Sequence, residues 1–233
     1  MRLFSRAVSG ALTTAIVLFT AIPALSVAQE AVADPAVGAL QPASSESASS
    51  AAVRFTQKLE ALSTMSGTFS QQLSDGNGKE IQQSAGTFLV KRPGLFRWET
   101  KPPFEQSVIS DGKQVYIYDP DLEQVTITKQ SQTDGSPASI LSGDIATLEK
   151  FYLIKSKQLN GNKEAFALTS RSGNMDFSTV IFSFDGNVIE SLEVVDRAGQ
   201  KSRISFSEIK INRLLDEANF TFSAPEGVDI IRQ

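Results

Sequence analysis

The chain has 233 residues with 22 basic and 26 acidic side chains, a net charge of −4, and neither cysteine nor histidine. Without these two residue types no disulfide can form, the usual nucleophile–base pairs cannot be built, and most zinc sites are excluded. The acidic balance disfavours nucleic acid, whose phosphates must be neutralised by Lys and Arg. We therefore expect a protein that is not an enzyme and that uses no cofactor, no metal and no nucleic acid.

Residues 1–28 have the order of a secretory signal peptide. Arg2 and Arg6 precede an apolar run, and a small-x-small motif ends at Ala28, near which we expect cleavage. Removing the two arginines leaves 20 basic against 26 acidic residues, a net charge of −6. Residues 29–52 are rich in Ala and Ser and contain no aromatic or basic side chain, which predicts a disordered tether.

Residues 53–233 are predicted to form a single domain. Phe55, Leu59 and Leu62 share one helical face, so the domain should begin with a helix that packs on a core. From Met65 onwards apolar and polar residues alternate in short runs between turn signals such as Asp-Gly and Asn-Gly. This spacing predicts antiparallel strands that form a sandwich or a barrel. The predicted strands include 86–90, 114–118, 124–128, 166–170, 179–184, 189–195 and 201–211.

Helical segments interrupt this series of strands. Ser136 can cap a short helix, Pro137 suits its first position, and Gly143 can end it. A second helix is predicted from Asp144 to Phe151. Because the rest of the domain reads as a meandering sheet, these helices should lie across a face or an open end of it.

Acidic residues alternate at Asp119, Asp121 and Glu123 in the manner of calcium ligands. The sixth position counted from Asp119 is Gln124, where a calcium loop of the EF-hand type needs glycine. A solvated turn is therefore the favoured interpretation.

Phenylalanine dominates the aromatic residues. The chain has 15, and two of them, Phe4 and Phe19, lie in the signal peptide, which leaves 13 in the mature chain. A Phe-rich alternating sheet has one strongly apolar face, which either packs a closed core or encloses a cavity for an apolar ligand. The phenylalanines assigned to strands are Phe69, Phe88, Phe182, Phe184, Phe206, Phe220 and Phe222.

The string GTFLVKRPGLFRW at residues 86–98, followed by SDGK at 110–113 and VYIYDP at 115–120, resembles the LolA family of periplasmic outer-membrane lipoprotein carriers. The resemblance spans roughly residues 53–228. The segments 68–71, 137–142 and 220–222 and the pair Asp196 and Arg203 fit the same pattern. The chain departs from it in its long Ala/Ser segment and in ending soon after Val228, which leaves little room for an extended C-terminal element.

The resemblance implies a mainly β fold of the α+β type, an unclosed antiparallel β-barrel or half-barrel with a lid of short α-helices over an apolar cavity. It implies a monomeric periplasmic carrier whose partners are acylated lipoproteins, an ATP-driven inner-membrane release complex and an outer-membrane receptor lipoprotein. A lipid- or lipoprotein-sensing module on the same half-barrel is the alternative.

The resemblance also implies roles for individual residues. Arg92 would hold the lid closed through hydrogen bonds to helix carbonyls, since its guanidinium offers five donors in a fixed fork; otherwise Arg92 is an exposed cation at a strand end. Phe96 would lie at the cavity mouth and act in handover; otherwise it packs in the core. The other predicted cavity residues are Phe69, Phe88, Trp98, Ile140, Leu141, Phe182 and Phe184.

Overall fold

A computed structural model of the chain describes residues 48–133, 136–143, 148–171 and 177–233. The helices are α1 (Ala48–Glu60), α2 (Pro137–Ser142) and α3 (Leu148–Phe151). The strands are β1 (Thr64–Ser74), β2 (Glu80–Lys91), β3 (Leu95–Thr100), β4 (Gln106–Asp111), β5 (Gln114–Asp119), β6 (Gln124–Lys129), β7 (Tyr152–Gln158), β8 (Lys163–Ser170), β9 (Phe177–Asp185), β10 (Val188–Asp196), β11 (Lys201–Ile211) and β12 (Asp229–Arg232).

All described strands belong to one sheet with the order β12-β6-β5-β4-β3-β2-β1-β11-β10-β9-β8-β7. Every neighbouring pair is antiparallel except β12 and β6, which run parallel. Strands β7 and β12 end the sheet on opposite sides, and no ladder joins them in the described part of the chain. The predicted unclosed, mainly β fold with short helices is thereby confirmed.

The apolar core lies on the inner face of this sheet. Along β3, Phe96, Trp98 and Thr100 are buried while the residues between them are half-exposed, as the period of two requires. The β2–β3 ladder pairs these buried residues with buried residues of β2, since Trp98 is opposite Phe88 and Phe96 is opposite Val90. The alternating pattern in the sequence therefore corresponds to a single curved apolar surface.

The turn chemistry explains the register of the first hairpin. The Asp75 carboxylate accepts hydrogen bonds from the backbone N–H groups of Asn77 and Lys79, both at 2.9 Å. Gly78 has a φ of 82°, which glycine adopts without strain. The predicted Asp-Gly-Asn-Gly turn thus joins β1 to β2. The sequence also predicts a turn at Ser172-Gly173-Asn174. These three residues and residues 144–147 of the predicted second helix lie outside the described residues.

Helix α1 begins at Ala48, so the prediction that the tether extends to residue 52 is wrong for residues 48–52. Alanine is the best helix former, and Ala51 and Ala52 are buried against the core, at 2% and 4% exposure. Composition suggested a tether because a run of Ala and Ser lacks large apolar side chains. Small side chains instead let the helix approach the sheet closely.

Phe55 fixes α1 over the β7–β9 half of the sheet. Its ring lies 5.2 Å from the rings of Phe166 and Phe182 and 6.3 Å from that of Phe184, measured between centroids. In the part of the chain that the structure describes, no helix is both long and apolar enough to cross a membrane.

The segment around Phe220 and Phe222 is not a strand, which corrects the assignment of both residues to strands. Glu217–Phe220 forms a 3-10 turn that lies against β3 and β4, and Phe220 is buried. Phe222 stacks on Tyr116 at 5.2 Å on the outer face of β5. The chain then adds β12 beside β6, so its last residues do form an ordered element.

A buried carboxylate anchors α1 to the sheet. Glu164 on β8 accepts hydrogen bonds from Arg54 Nε at 3.1 Å and Arg54 Nη2 at 2.9 Å, and its side chain is 9% exposed. Arg54 Nη2 also donates to Ser156 Oγ at 2.7 Å. Lys58, one turn further along α1, donates to the carbonyl of Gly186 at 2.5 Å. These contacts add directional bonds to the apolar packing of the helix.

Replacing Glu164 by Gln should lower the free energy of unfolding by about 2 kcal/mol. Breaking a buried pair is costly because it leaves a charge uncompensated, and the partial exposure of Arg54 reduces that cost. Urea unfolding followed by circular dichroism measures the change. The matched control is Glu190→Gln, which breaks the exposed pair of Glu190 with Lys163 and should shift the midpoint much less. Equal shifts in the two variants would refute the anchoring role of Glu164.

Candidate functional site: a helical lid on an apolar interior

Helix α2 has the capping that the sequence predicts. Ser136 Oγ accepts a hydrogen bond from the backbone N–H of Ser139 at 3.2 Å, Pro137 occupies the first turn, and Gly143 N–H donates to the Ser139 carbonyl at 2.6 Å. Ile140 and Leu141 are buried, at 1% and 6% exposure. Because a helix of six residues is unstable by itself, α2 depends on contacts outside it.

The turn between β2 and β3 supplies those contacts. Arg92 Nη2 donates to the carbonyl of Ile140 at 2.9 Å, and Nη1 donates to the carbonyl of Gly143 at 3.0 Å. The backbone N–H of Gly94 donates to the Ser142 carbonyl at 2.6 Å. The last carbonyls of a helix have no partner inside it. Three donors from one turn therefore complete the C-terminal end of α2.

The burial of Arg92 has an energetic cost that opposes the gain from its hydrogen bonds. Burial lowers the pKa of Arg92 to about 10, so the guanidinium stays charged near neutral pH but loses hydration. Its Nε has no hydrogen-bond partner among the described residues. Each hydrogen bond to a carbonyl stabilises the closed lid, whereas desolvation of the charge opposes closure. The net stabilisation of the closed lid is therefore smaller than the hydrogen bonds alone would give.

The β2–β3 turn is also hydrogen-bonded to the segment that follows α1. The residues involved, Ser63 and Asn212, were not predicted from the sequence. Arg92 N–H donates to the carbonyl of Ser63, just after α1, at 2.9 Å. Asn212 Oδ1 accepts from the N–H and the hydroxyl of Ser63, both at 2.9 Å, and its Nδ2 donates to the Ala61 carbonyl at 2.9 Å. Asn212 has a φ of 54°, a conformation that Asn tolerates better than most residues. The position of Asn212 directly after a predicted strand was the feature of the sequence from which this role could have been predicted.

A small cavity lies beneath α2 among the described residues. Its volume is about 20 Å³, which is room for roughly one water molecule. Its walls are apolar side chains from the sheet and from α2, mainly Val90, Phe96, Trp98, Val108, Ala138 and Leu141. A long apolar ligand can enter only if α2 moves away from the sheet.

The predicted cavity residues fall into two groups within one core cluster. Phe96, Trp98 and Leu141 line the small cavity, and Ile140 is buried on the same helix as Leu141. Phe69 stacks on Trp98 at 3.9 Å, and Phe88 lies 5.9 Å from Trp98. Phe182 and Phe184 lie instead under α1, against Phe55.

The acidic run at 119–123 forms a turn between β5 and β6. Asp119 Oδ1 accepts the backbone N–H of Leu122 at 3.1 Å. Within the described ranges, no group of three or more Asp or Glu residues is placed to hold a metal ion.

An open antiparallel sheet with an apolar inner face, covered by short helices, defines a half-barrel with a helical lid. Residues 60–223 match the family described as outer membrane lipoprotein carrier protein LolA. The chain belongs to this outer-membrane lipoprotein carrier family.

Several relatives named outer-membrane lipoprotein carrier protein support this assignment. The protein of Pseudomonas paraeruginosa is 41% identical over 186 residues, 79% of this chain and 89% of the relative. That of Chromohalobacter salexigens is 37% identical over 193 residues, 82% and 91% of the two chains. The solved structure of a LolA superfamily protein from Nitrosomonas europaea superposes with a TM-score of 0.44 at 12% identity, over 74% of this chain and 98% of that one.

Proposed function

We propose that this protein is a periplasmic carrier that takes up the acyl chains of lipoproteins released from the inner membrane and delivers them to an outer-membrane receptor. The observation that carries the proposal is the α2 lid, which is held over an aromatic interior by Arg92 and Gly94. Its relatives are named for this activity, which does not favour a purely sensing role.

Magnitudes explain why such a carrier is needed. Each CH₂ group moved from lipid to water costs about 0.8 kcal/mol, so exposing several long acyl chains costs tens of kcal/mol. The carrier must shield most of that surface and still give it up. Shielding and transfer of this kind involve no covalent step, and we propose that the protein catalyses no reaction.

The energy for loading lipoprotein onto the carrier would come from a partner. The chain contains no GxxxxGK[ST] phosphate loop, so the ATP-driven release complex of the inner membrane would supply it. Export would follow cleavage of the signal peptide near Ala28, and the acceptor would be a receptor lipoprotein in the outer membrane.

The purified mature protein should release a newly made outer-membrane lipoprotein from spheroplasts. We expect the lipoprotein in the soluble fraction, in a one-to-one complex with this chain, because its acyl chains are then shielded from water. Size-exclusion chromatography of the supernatant measures the complex. If free acyl probes bind but lipoprotein stays on the cells, the protein is a sensing module and the carrier proposal fails.

Replacing Arg92 by Leu should leave a complex that forms but passes lipoprotein on poorly. The leucine cannot donate to the carbonyls of Ile140 and Gly143, so α2 opens more readily and the cargo-bound state is favoured over the closed, empty one. Lysine lacks the planar fork, so Arg92→Lys should behave similarly. Transfer to receptor-bearing membranes measures the effect. Arg232→Leu, at an exposed position of β12, is the control, and transfer by Arg92→Leu at the rate of the unaltered protein would refute the latch.

Replacing Phe96 by Glu should impair loading or handover while the protein stays folded. Phe96 lines the cavity beneath α2, and a carboxylate there both repels acyl chains and draws in water. Circular dichroism and the release assay together distinguish the outcomes. If the variant unfolds globally, Phe96 is a core residue rather than a functional one.

A further inference from the structure

Three buried polar side chains of the inner face lie at strand ends far from the Arg92 turn. Gln71 on β1, Thr100 on β3 and Ser202 on β11 point inward and are buried, at 6%, 3% and 3% exposure. The ladders place Gln71 opposite Ser84 of β2, and Thr100 opposite Gly86, two residues further along β2. We define the inner polar group as these three side chains and the indole N–H of Trp98.

Several atoms of this group lack hydrogen-bond partners. Thr100 Oγ1, Trp98 Nε1 and Gln71 Oε1 are buried and have no partner among the described residues. Gln71 Nε2 donates to Ser202 Oγ at 2.7 Å. Because amide O and N atoms are assigned from their contacts, the reversed amide is equally consistent: Ser202 then donates to Oε1 and the NH₂ group has no partner. The group therefore offers hydrogen-bond donors to an apolar interior.

Close packing fixes these donors on rigid strands. A Cβ atom at Gly86 would overlap the backbone carbonyl of Glu99 and the ring of Phe69. Glycine thus lets Phe69 lie over the sheet beside Thr100, where its ring stacks on Trp98 at 3.9 Å and 27°. Buried polar groups are normally paired, so unpaired donors held this firmly point to a ligand.

We propose that the inner polar group is a subsite for the ester carbonyls that join acyl chains to glycerol. This inference rests on the proposed function, because it requires acyl chains in the interior. The only hydrogen-bonding atoms of a fatty acyl group are at its carbonyl. Donors without protein partners would therefore recognise the linkage, while the aromatic and aliphatic walls accept any chain.

The test compares an ester with an ether. Dioctanoylglycerol and the dioctyl ether of glycerol share nearly the same apolar surface, and only the ester has carbonyl oxygens. Trp98 is the single tryptophan, so its fluorescence reports binding in the purified mature protein. We expect the ester to bind about fivefold more tightly, which corresponds to about 1 kcal/mol, the contribution of one net hydrogen bond.

Thr100→Val removes the hydroxyl at nearly constant shape. It should weaken binding of the ester about fivefold, leave binding of the ether unchanged and so abolish the preference. Thr87→Val is the matched control, because Thr87 is exposed on the outer face of β2, and it should keep the preference. If Thr100→Val does not fold, Gln71→Leu replaces it with the same expectation.

The outcomes separate the subsite from the carrier function. Equal affinity of the unaltered protein for ester and ether, or a preference that persists in Thr100→Val, overturns the subsite while acyl binding stands. Binding of neither probe overturns the carrier function and the subsite with it.

Discussion

The closed state of this protein depends on three helix carbonyls. Helix α2 is too short to be stable alone, and its C-terminal carbonyls of Ile140, Ser142 and Gly143 are satisfied by a turn of the sheet rather than by solvent. Once these bonds form, Ile140 and Leu141 are held against the aromatic strands. The register of the β2–β3 hairpin, which places Arg92 and Gly94 in that turn, therefore determines whether there is a lid at all.

The small size of the cavity determines what is gained when an acyl chain binds. The cavity beneath α2 measures about 20 Å³, and the aromatic side chains already contact one another in the empty protein. An acyl chain that enters breaks contacts between protein side chains and forms contacts between the protein and the chain. The main gain in free energy is therefore the removal of the acyl chain's own surface from water. Affinity is thereby kept below what the size of the ligand alone would provide, which is what a carrier that must give up its cargo requires.

The local chemistry of the sequence predicted most of the fold. Alternation identified the strands, Asp-Gly and Asn-Gly located the hairpins, and Ser136, Pro137 and Gly143 located α2. The failures share a cause: residues 48–52 and Phe220–Phe222 take their conformation from tertiary contacts, buried Ala against the core in one case and packing on the outer face in the other. The arginine latch could be proposed only through the resemblance, because a cation before a turn proline has no distinctive local pattern. Asn212 and Glu164 were missed because each acts on residues more than a hundred positions away.

Helices α1 and α2 are attached to the sheet by different interactions, and this difference indicates which of them moves first. Helix α1 is anchored by the buried carboxylate of Glu164 and by Phe55, whose ring packs against three others. The ion pair of Glu164 and the ring packing of Phe55 act on the same helix, so α1 is held by polar and apolar contacts together. Helix α2 has six residues and is held mainly at one end, by a guanidinium that regains hydration when the bonds break. Opening should therefore begin at α2 while α1 remains on the β7–β9 half of the sheet, so that the interior becomes accessible over β2 and β3 and the core beneath α1 keeps the protein folded.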